Sequence, residues 1–282
     1  MIEILAHGPL STVQDLGRFG YAALGVTRSG AADLRSHRLA NRMVGNAEHA
    51  ATIETTFGGL ELRAGTELVV AVTGATAPVL LDGADVGTNA PLAVGGGVRL
   101  RIGTPTAGLR CYVAVRGGID VPAVLGSRST DLLSGLGPAP LRAGDTVPVG
   151  ALVAGAPLVD VAPVPALPVE PVLRIRPGPR EDWFTPEAVQ AMCGAAYEVS
   201  PDSNRIGLRL SGPALERGDK RELPSEPVVA GAVQVPPDGQ PVLFLADHPV
   251  TGGYPVIAVV RRADLDLAAQ LRPGQRLRFA AG

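Results

Sequence analysis

Four polar segments punctuated by glycine hold the side chains that could do chemistry, and they span residues 14–33, 126–131, 200–207 and 231–255. Turns beside regular elements are where binding side chains are commonly placed. In the first segment, Arg18 and Arg28 can each fork onto a carboxylate or phosphate. A helix is predicted directly after them, and the free N–H groups at a helix start favour an anion. The segment therefore indicates an anion site or, alternatively, a structural turn with exposed arginines.

The second and third segments each surround one arginine with polar neighbours. Arg128 stands beside the hydroxyls of Ser129 and Thr130, which predicts either an oxyanion cradle or a turn whose hydroxyls bond to nearby backbone. Arg205 lies in a predicted turn, where it could bind a ligand anion or pair with Asp202. Both interpretations of each segment stay open at this level.

The fourth segment is the longest and mixes amide, hydroxyl and glycine. Gln234 offers a donor and an acceptor, and the Thr-Gly-Gly run at 251–253 would let backbone come close to a ligand. Asp247 precedes His248, but neighbours on a strand point to opposite faces. A catalytic Asp–His dyad is therefore not expected.

Composition excludes several classes of protein. The chain has 25 Lys+Arg against 27 Asp+Glu, and this balance argues against a nucleic-acid binder, which needs a basic face. Lys220 is the only lysine, so no Gly-Lys-Ser/Thr phosphate loop occurs. The four histidines lack HExxH or HxH spacing, and no metal site is expected.

Location is inferred from three further features. The apolar stretch 147–169 contains Asp160 and five prolines, so it predicts a polyproline-type linker and not a membrane span. The two cysteines form no CxxC motif and fit a reducing compartment. The first residues show no basic-then-apolar leader. We therefore expect a cytoplasmic protein.

The 36 glycines and 26 prolines are too many for long helices, so the fold is predicted to be mainly β with a few short helices. Helices are predicted over 31–44, capped by Ser29, over 186–194, capped by Thr185, and over 264–271. Strands are predicted at 67–72, 98–102, 110–115, 172–176, 208–210, 242–246, 256–260 and 276–279.

A faint internal repeat links the two halves of the chain. Glycine-containing turns near 74, 117 and 144 recur in the same order near 212, 252 and 274. If this is a duplication, two similar barrel-like domains are joined by the proline-rich linker. The predicted boundaries are 1–155, with a helix near 31–44, then a linker at 156–170 and a second domain at 171–282.

Taken in order, the segments carry a set of motifs that covers nearly the whole chain. These are 14–21 (QDLGRFGY), 29–33 (SGAAD), 40–46 (AN and VGN), 54–59 (ETTFGG), 116–119 (RGGI), 125–130 (LGSRST), 203–207 (SNRIG), 231–239 (GAVQVPPDG) and 251–255 (TGGYP). Together they resemble the family of the 5-oxoprolinase C subunit, also called KipA-type or allophanate hydrolase subunit 2 and labelled biotin-dependent carboxyltransferase-like. The resemblance implies two tandem cyclophilin-like β-barrels.

The resemblance also implies a function. The chain would be one subunit of an ATP-dependent 5-oxoprolinase that cleaves 5-oxo-L-proline to L-glutamate, with ATP and Mg²⁺ used by the complex. Its partners would be the KipI-like B subunit of the enzyme, together with its A subunit. Two alternatives stay open: a carboxyltransferase subunit of a biotin-dependent urea or amide carboxylase, and a non-catalytic KipA-type regulatory partner. The chain has no Met-Lys biotin-acceptor segment, so a biotin carrier would be another polypeptide.

Substrate- or anion-binding roles are predicted for residues of all four segments, whereas no catalytic residue and no metal ligand is assigned. Many family members carry Lys where this chain has Val256, and Gly where it has Pro227, so no lysine-dependent step is expected. The predicted binding residues are Arg18, Tyr21, Ser29, Arg128, Ser129, Thr130, Asn204, Arg205, Gln234, Thr251, Gly252, Gly253 and Tyr254.

Overall fold

The computed structural model describes residues 1–151, 153–157, 159–219 and 221–282. Lys220, the single lysine, and residues 152 and 158 of the predicted linker lie outside the described residues. The chain divides into two compact units. The first comprises Met1–Phe19, Ser29–Asp131 and Gly135–Ala166, and the second comprises Gly20–Arg28, Leu132–Ser134 and Leu167–Gly282. The boundaries at 1–155, 156–170 and 171–282 stay a prediction.

The first unit contains two sheets among the residues described. Its strands are β1 Ile2–His7, β2 Leu10–Gln14, β3 Thr52–Thr56, β4 Leu60–Ala64, β5 Leu68–Thr76, β6 Val79–Leu81, β7 Ala84–Asp85, β8 Pro91–Val94, β9 Arg99–Ile102, β10 Ala107–Val115 and β11 Thr146–Val147. One sheet has the order β11-β1-β4-β9-β6-β7 and the other β2-β3-β10-β5-β8.

Strand β10 shows how the core of the first unit is divided. Cys111 and Val113 join the cluster that also contains Ile4 and Leu62 of the other sheet. Tyr112, between them, faces the opposite side and packs with the helix α1, Leu34–Met43. Because successive strand side chains point to opposite faces, one strand contributes to both apolar layers. The five-stranded sheet, which contains β10, therefore lies between the six-stranded sheet and α1.

Helix α1 starts later than predicted. Asp33 is its N-cap, and its carboxylate accepts from the Ser36 N–H at 2.9 Å. The predicted cap Ser29 is wrong because this residue has a left-handed backbone, φ 52°, and its hydroxyl donates to the carbonyl of Thr130. A carboxylate three residues before an open N–H satisfies the helix start instead. The predicted stop at Gly45 holds, since this residue has φ 73° just after the helix.

The second unit contains a closed seven-stranded barrel of order β12-β19-β16-β17-β14-β13-β20. Its strands are β12 Val172–Pro177, β13 Ala196–Val199, β14 Gly207–Ser211, β15 Glu226–Pro227, β16 Ala232–Gln234, β17 Val242–Phe244, β18 Thr251–Gly252, β19 Val256–Val260 and β20 Arg276–Ala281. Strands β15 and β18 pair with each other outside the barrel. Buried apolar side chains such as Leu173, Val233 and Phe279 fill its interior. The prediction of a mainly β fold is confirmed.

Two helices complete the second unit. Helix α2, Pro186–Gly194, agrees with the prediction, and the Thr185 hydroxyl accepts from the Ala188 N–H at 3.2 Å. Helix α3, Arg262–Ala268, begins and ends earlier than the predicted 264–271. Short 3-10 turns occur at Ala22–Leu24 and Glu181–Trp183. None of the helices in the described ranges has the length and apolar character that crossing a bilayer would require.

Candidate functional site

The first two polar segments meet in the first unit at the carboxylate of Asp15. The hydroxyls of Ser127 and Ser129 donate to it at 2.7 and 2.6 Å. The backbone N–H groups of Arg128 and Gly17 donate to it at 2.6 and 2.8 Å. We call these five residues the Asp15 cluster. It ties the end of β2 to a loop more than a hundred residues later in the chain.

The Asp15 cluster holds its carboxylate in the ionised form. Burial on its own raises the pKa of Asp15, but the hydrogen bonds from Ser129, Ser127 and the N–H groups of Arg128 and Gly17 outweigh it, so the pKa lies below 3.8. An ionised acid whose oxygens already accept several donors is a poor proton acceptor. Asp15 therefore positions the loop and does not act as a general base.

Predicted site residues crowd around the same loop. Arg18 Nη2 donates to the carbonyl of Ser129. The carbonyl of Thr130 accepts from Ser29 Oγ at 3.1 Å and from Gln14 Nε2 at 3.0 Å. Arg18, Ser29, Ser129 and Thr130, all predicted from the sequence, thus lie together and buried in the first unit.

Gln14 is a member of this group that sequence reasoning missed. Its side chain is fully buried, and the carbonyl of Thr130 fixes which end of the amide carries the N–H groups. Among the described residues, Gln14 Oε1 and Thr130 Oγ1 have no hydrogen-bond partner. Buried polar atoms are nearly always paired, so each of these two atoms retains the capacity for one further hydrogen bond.

Arg128 differs from the other two predicted arginines in its exposure. Its Nε donates to the carbonyl of Val121 at 2.8 Å, and its Nη2 donates to Asp120 at 2.7 Å. About two-fifths of its side chain is exposed, at 39%. Exposed ion pairs are weak, so a ligand anion can compete for this guanidinium with little loss.

The third and fourth segments are joined in the second unit by a buried ion pair. Arg205 Nε and Nη2 each donate to the carboxylate of Asp247 at 2.9 Å, and the two side chains are 1% and 0% exposed. The carboxylate also accepts from the N–H of Leu132 at 3.4 Å. Asn204 Oδ1 accepts from the Ile206 N–H at 2.8 Å and so shapes the turn that holds Arg205.

The remaining predicted residues belong to the second unit as well. Gln234 Nε2 donates to the carbonyl of Tyr254 at 2.8 Å, and the amide packs directly on Gly252. Thr251 precedes this glycine in β18, on the exposed side. Tyr21 accepts through its carbonyl from the N–H groups of Leu24 and Val26 at 2.9 and 3.3 Å. The side-chain amide of Gln234 therefore contacts both Gly252 and Tyr254.

Replacing Gly252 with alanine is expected to disrupt this contact. A Cβ at this position would overlap Nε2 of Gln234, so the amide must move away from the Tyr254 carbonyl. Loss of this hydrogen bond destabilises by about 0.5–1.5 kcal/mol. The adjacent Gly253→Ala is the matched control, because the nearest atom to its Cβ would be the Leu223 carbonyl at 3.8 Å. Thermal unfolding of both variants checks this, and equal midpoints would contradict it.

A cavity of about 890 Å³ lies within the second unit. Two predicted residues, Gly253 and Tyr254, form part of its wall. The rest of the wall comes from residues that sequence reasoning missed; they are Ala214, Leu215, Glu216, Arg217, Arg221, Glu222, Leu223, Pro236, Pro237, Asp238 and Gly239. The available signal was the mixture of basic and acidic residues around Gly218 at 216–222, which is typical of an ordinary solvated turn.

Three arginines converge on one indole beside this cavity. The guanidinium carbons of Arg180, Arg217 and Arg221 lie 5.6, 5.6 and 5.5 Å from the centre of the Trp183 ring. Contacts at this distance between a guanidinium and an aromatic ring are attractive. Arg180 is paired with Glu226, which β15 supplies. The buried indole therefore fixes the orientation of the arginine side chains around it.

No set of three or more His, Cys, Asp or Glu side chains converges as a metal site would require, within the ranges that the structure describes. Both cysteines are free; Cys111 is buried and Cys193 is exposed. Burial raises the pKa of the Cys111 thiol to about 12, so this thiol stays protonated and unreactive. The functional groups of the site are therefore arginines, amides and hydroxyls.

The sequence profile of the family described as "Carboxyltransferase domain, subdomain A and B" matches residues 24–281. The chain belongs to this carboxyltransferase domain family. A member from Escherichia coli, the C subunit of 5-oxoprolinase, is 39% identical over 99% of this chain and 90% of its own length. The 5-oxoprolinase C subunit of Haemophilus influenzae is 34% identical over 100% of this chain and 91% of its own length.

The family likeness extends to a solved structure. The urea amidolyase of K. lactis superposes with a TM-score of 0.92 at 33% identity, over 99% of this chain. The chain covers only 18% of that much longer protein. This carboxyltransferase domain therefore occurs both as a separate chain and as one part of a larger polypeptide.

Proposed function

We propose that this carboxyltransferase-domain chain is the C subunit of an ATP-dependent 5-oxoprolinase, which cleaves 5-oxo-L-proline to L-glutamate. The observation that carries the proposal is the 39% identity to the 5-oxoprolinase C subunit of E. coli over 99% of this chain and 90% of the relative. The alignment covers nearly all of this chain and nine-tenths of the relative, so the similarity is not confined to one shared fragment. The relative is named as one subunit of its enzyme, which supports a complex. We propose that the partners are a KipI-like B subunit, and with it the A subunit of the enzyme.

We further propose that both units are cyclophilin-like barrels in tandem, joined near 156–170. The closed barrel of the second unit and the two packed sheets of the first support this. A reducing, cytoplasmic setting is proposed on the basis of the two free cysteines, one of them exposed.

The chemistry asks mainly for positioning and charge neutralisation. A five-membered lactam is a poor electrophile, and phosphorylation of its carbonyl oxygen gives it a leaving group. Such a transfer is promoted by holding the reactants in place and stabilising the developing charge. In the proposal, the partly exposed guanidinium of Arg128 stabilises a phosphoryl anion. Gln14 and Thr130 of the same unit support the local structure of this loop, and their Oε1 and Oγ1 atoms have no hydrogen-bond partner among the described residues.

Other predicted residues take positioning roles in this proposal. Arg205 is bound at two points by the buried Asp247, so an incoming anion would have to displace a carboxylate. Arg18 supports the Ser129 carbonyl. Gln234 holds the Gly252–Tyr254 turn that forms part of the cavity wall. Each of these residues supports the local structure of its own unit, and Arg128 is the predicted arginine best placed to meet a ligand.

ATP with Mg²⁺ would supply the phosphoryl group in the complex. Within the described ranges no three His, Cys, Asp or Glu side chains gather, so the phosphates of the nucleotide and the other subunits would have to supply most of the Mg²⁺ ligands. No step is therefore assigned to a nucleotide held by this chain alone.

Reconstitution with the neighbouring gene products tests the proposal. Co-expression of this chain with the B- and A-type subunits should give ATP-dependent release of glutamate from 5-oxoproline. Leaving out this chain should reduce turnover to background. Undiminished turnover without it would exclude a catalytic role in the complex. Tight pairing with the KipI-like partner but unchanged turnover in Arg128→Ala would favour the regulatory KipA-type role.

The likeness to urea amidolyase favours a second candidate, a carboxyltransferase component that acts on urea or a similar amide. This function would need a carboxybiotin carrier on another chain. Avidin should then abolish activity of the complex, whereas 5-oxoprolinase activity should be unaffected. The two functions are separated by this one addition.

A further inference from the structure

We propose that the cavity of the second unit binds a small monocarboxylate that carries an N–H donor, with Arg217 as the partner of its carboxylate. The inference deepens the proposed function and rests on it for the identity of the ligand, because 5-oxo-L-proline has one carboxylate and one lactam N–H. It assigns a role to a residue outside the four polar segments.

The guanidinium of Arg217 is oriented by hydrogen bonds to neutral backbone carbonyls. Its Nε donates to the carbonyl of Asp219 at 3.2 Å and its Nη2 donates to the carbonyl of Arg221 at 2.9 Å. The ring of Trp183 lies against its guanidinium at 5.6 Å. These neutral partners fix the guanidinium plane and leave its positive charge for a ligand.

The nearest acidic side chain is already engaged. The Asp219 carboxylate accepts from Arg221 Nε at 2.9 Å and Nη2 at 2.6 Å, and these hydrogen bonds lower the pKa of Asp219. Among the residues that the structure describes, no carboxylate lies within ion-pair distance of Arg217. The charge of Asp219 offsets that of Arg217 only at longer range, so this half-buried, oriented guanidinium in a cavity wall can still bind an anion directly.

The rest of the wall suits a small ring. Leu215, Leu223 and the two prolines Pro236 and Pro237 supply apolar surface, and Tyr254 adds an aromatic face. Proline backbones are rigid, so this surface is formed before a ligand arrives. A cavity of about 890 Å³ is at the upper end of ligand-site sizes, so a small acid would occupy only the end beside Arg217.

The acidic residues on the same wall restrict the kind of anion. Glu216, Glu222 and Asp238 are exposed and line the cavity. Their negative charges repel the several negative charges of a polyphosphate. Their carboxylate oxygens can accept a hydrogen bond from an N–H group. The combination favours one carboxylate plus one N–H donor over a nucleotide.

Binding of defined probes to the full chain tests the inference. Titration calorimetry should show saturable binding of 5-oxo-L-proline, at least tenfold weaker in Arg217→Gln and intermediate in Arg217→Lys. The control Arg209→Ala, an exposed arginine of β14 outside the cavity wall, should bind as the wild type does. The lactam 2-pyrrolidone, which lacks the carboxylate, should bind more weakly and to the same extent in wild type and Arg217→Gln.

Three results would overturn the inference: no saturable binding of 5-oxo-L-proline to the wild-type chain, equal affinity in Arg217→Gln, or displacement of the acid by an equal concentration of ADP. Turnover of the reconstituted complex separates this from the proposed function. Turnover with an unchanged KM in Arg217→Gln would sink the inference alone. Arg217-dependent binding without any turnover would support the inference and count against the proposed reaction.

Discussion

Replacing Asp247 with alanine should destabilise the second unit by about 3–5 kcal/mol, because the substitution removes a buried carboxylate that Arg205 binds at two points. Both side chains are buried, and Asp247 accepts from Arg205 at two points and from the Leu132 N–H. Loss of one partner of a buried pair removes the attraction but keeps the desolvation of the other charge. Urea unfolding at neutral pH measures the change.

Two further variants serve as controls for the Asp247→Ala result. Asp202→Ala removes an exposed carboxylate of the same unit and should change the free energy of unfolding by less than about 0.5 kcal/mol. The double variant Arg205→Met with Asp247→Leu removes both charges and should recover much of the lost stability. A stability of Asp247→Ala within about 0.5 kcal/mol of wild type would show that the pair does not hold this unit together.

Acidification should weaken the first unit through His37. Burial lowers the pKa of His37 from 6.5 to about 4, and the Glu48 carbonyl and the charges of Asp15 and Glu54 only partly oppose it. The unfolded chain takes up a proton near pH 6.5, whereas the folded chain does so only near pH 4. Stability is therefore complete above pH 6.5 and falls by about 3 kcal/mol as the pH drops toward 4.

The hydrogen bonds of His37 explain why the neutral ring is preferred. Its Nε2 lies 3.0 Å from the Glu48 carbonyl, which can only accept, so Nε2 carries the proton. Its Nδ1 lies 2.9 Å from the Thr52 hydroxyl and accepts from it. A second proton on Nδ1 would force the Thr52 hydroxyl to accept instead, and it would place a positive charge in a buried site where desolvation disfavours it.

The pH effect is checked by urea unfolding at several values between pH 7 and 4.5. His37→Gln should flatten the dependence over this range, because glutamine does not titrate. The exposed His49→Gln is the control and should leave the slope as in wild type. An unchanged slope in His37→Gln would assign the pH dependence to other groups.

The sequence predicted those strands whose apolar residues are conspicuous. Strand β19, Val256–Val260, has the predicted bounds, and β10 extends the predicted 110–115 by three residues at its start. Strands β2 and β3 were missed because their inward side chains include Thr12, Gln14 and Glu54, all buried. A polar layer between a sheet and a helix hides the period-two pattern that reveals a strand.

The candidate site was predictable in its parts but not in its pairings. Each segment was visible because glycine and polar residues cluster locally. Asp15 and Ser127 are 112 residues apart and Arg205 and Asp247 are 42 apart, so nothing local indicates that they touch. Composition likewise cannot tell that Arg205 forms a buried ion pair with Asp247, whereas Arg217 bonds to backbone carbonyls.

The second unit is assembled from three separate stretches of the chain, Gly20–Arg28, Leu132–Ser134 and Leu167–Gly282. One of these, through the Leu132 N–H, completes the shell around the Asp247 carboxylate. A gene segment that encodes only the last stretch would therefore specify a barrel with a gap in its polar interior. We therefore expect that residues 167–282 expressed alone would lack part of the second unit, which also requires Gly20–Arg28 and Leu132–Ser134.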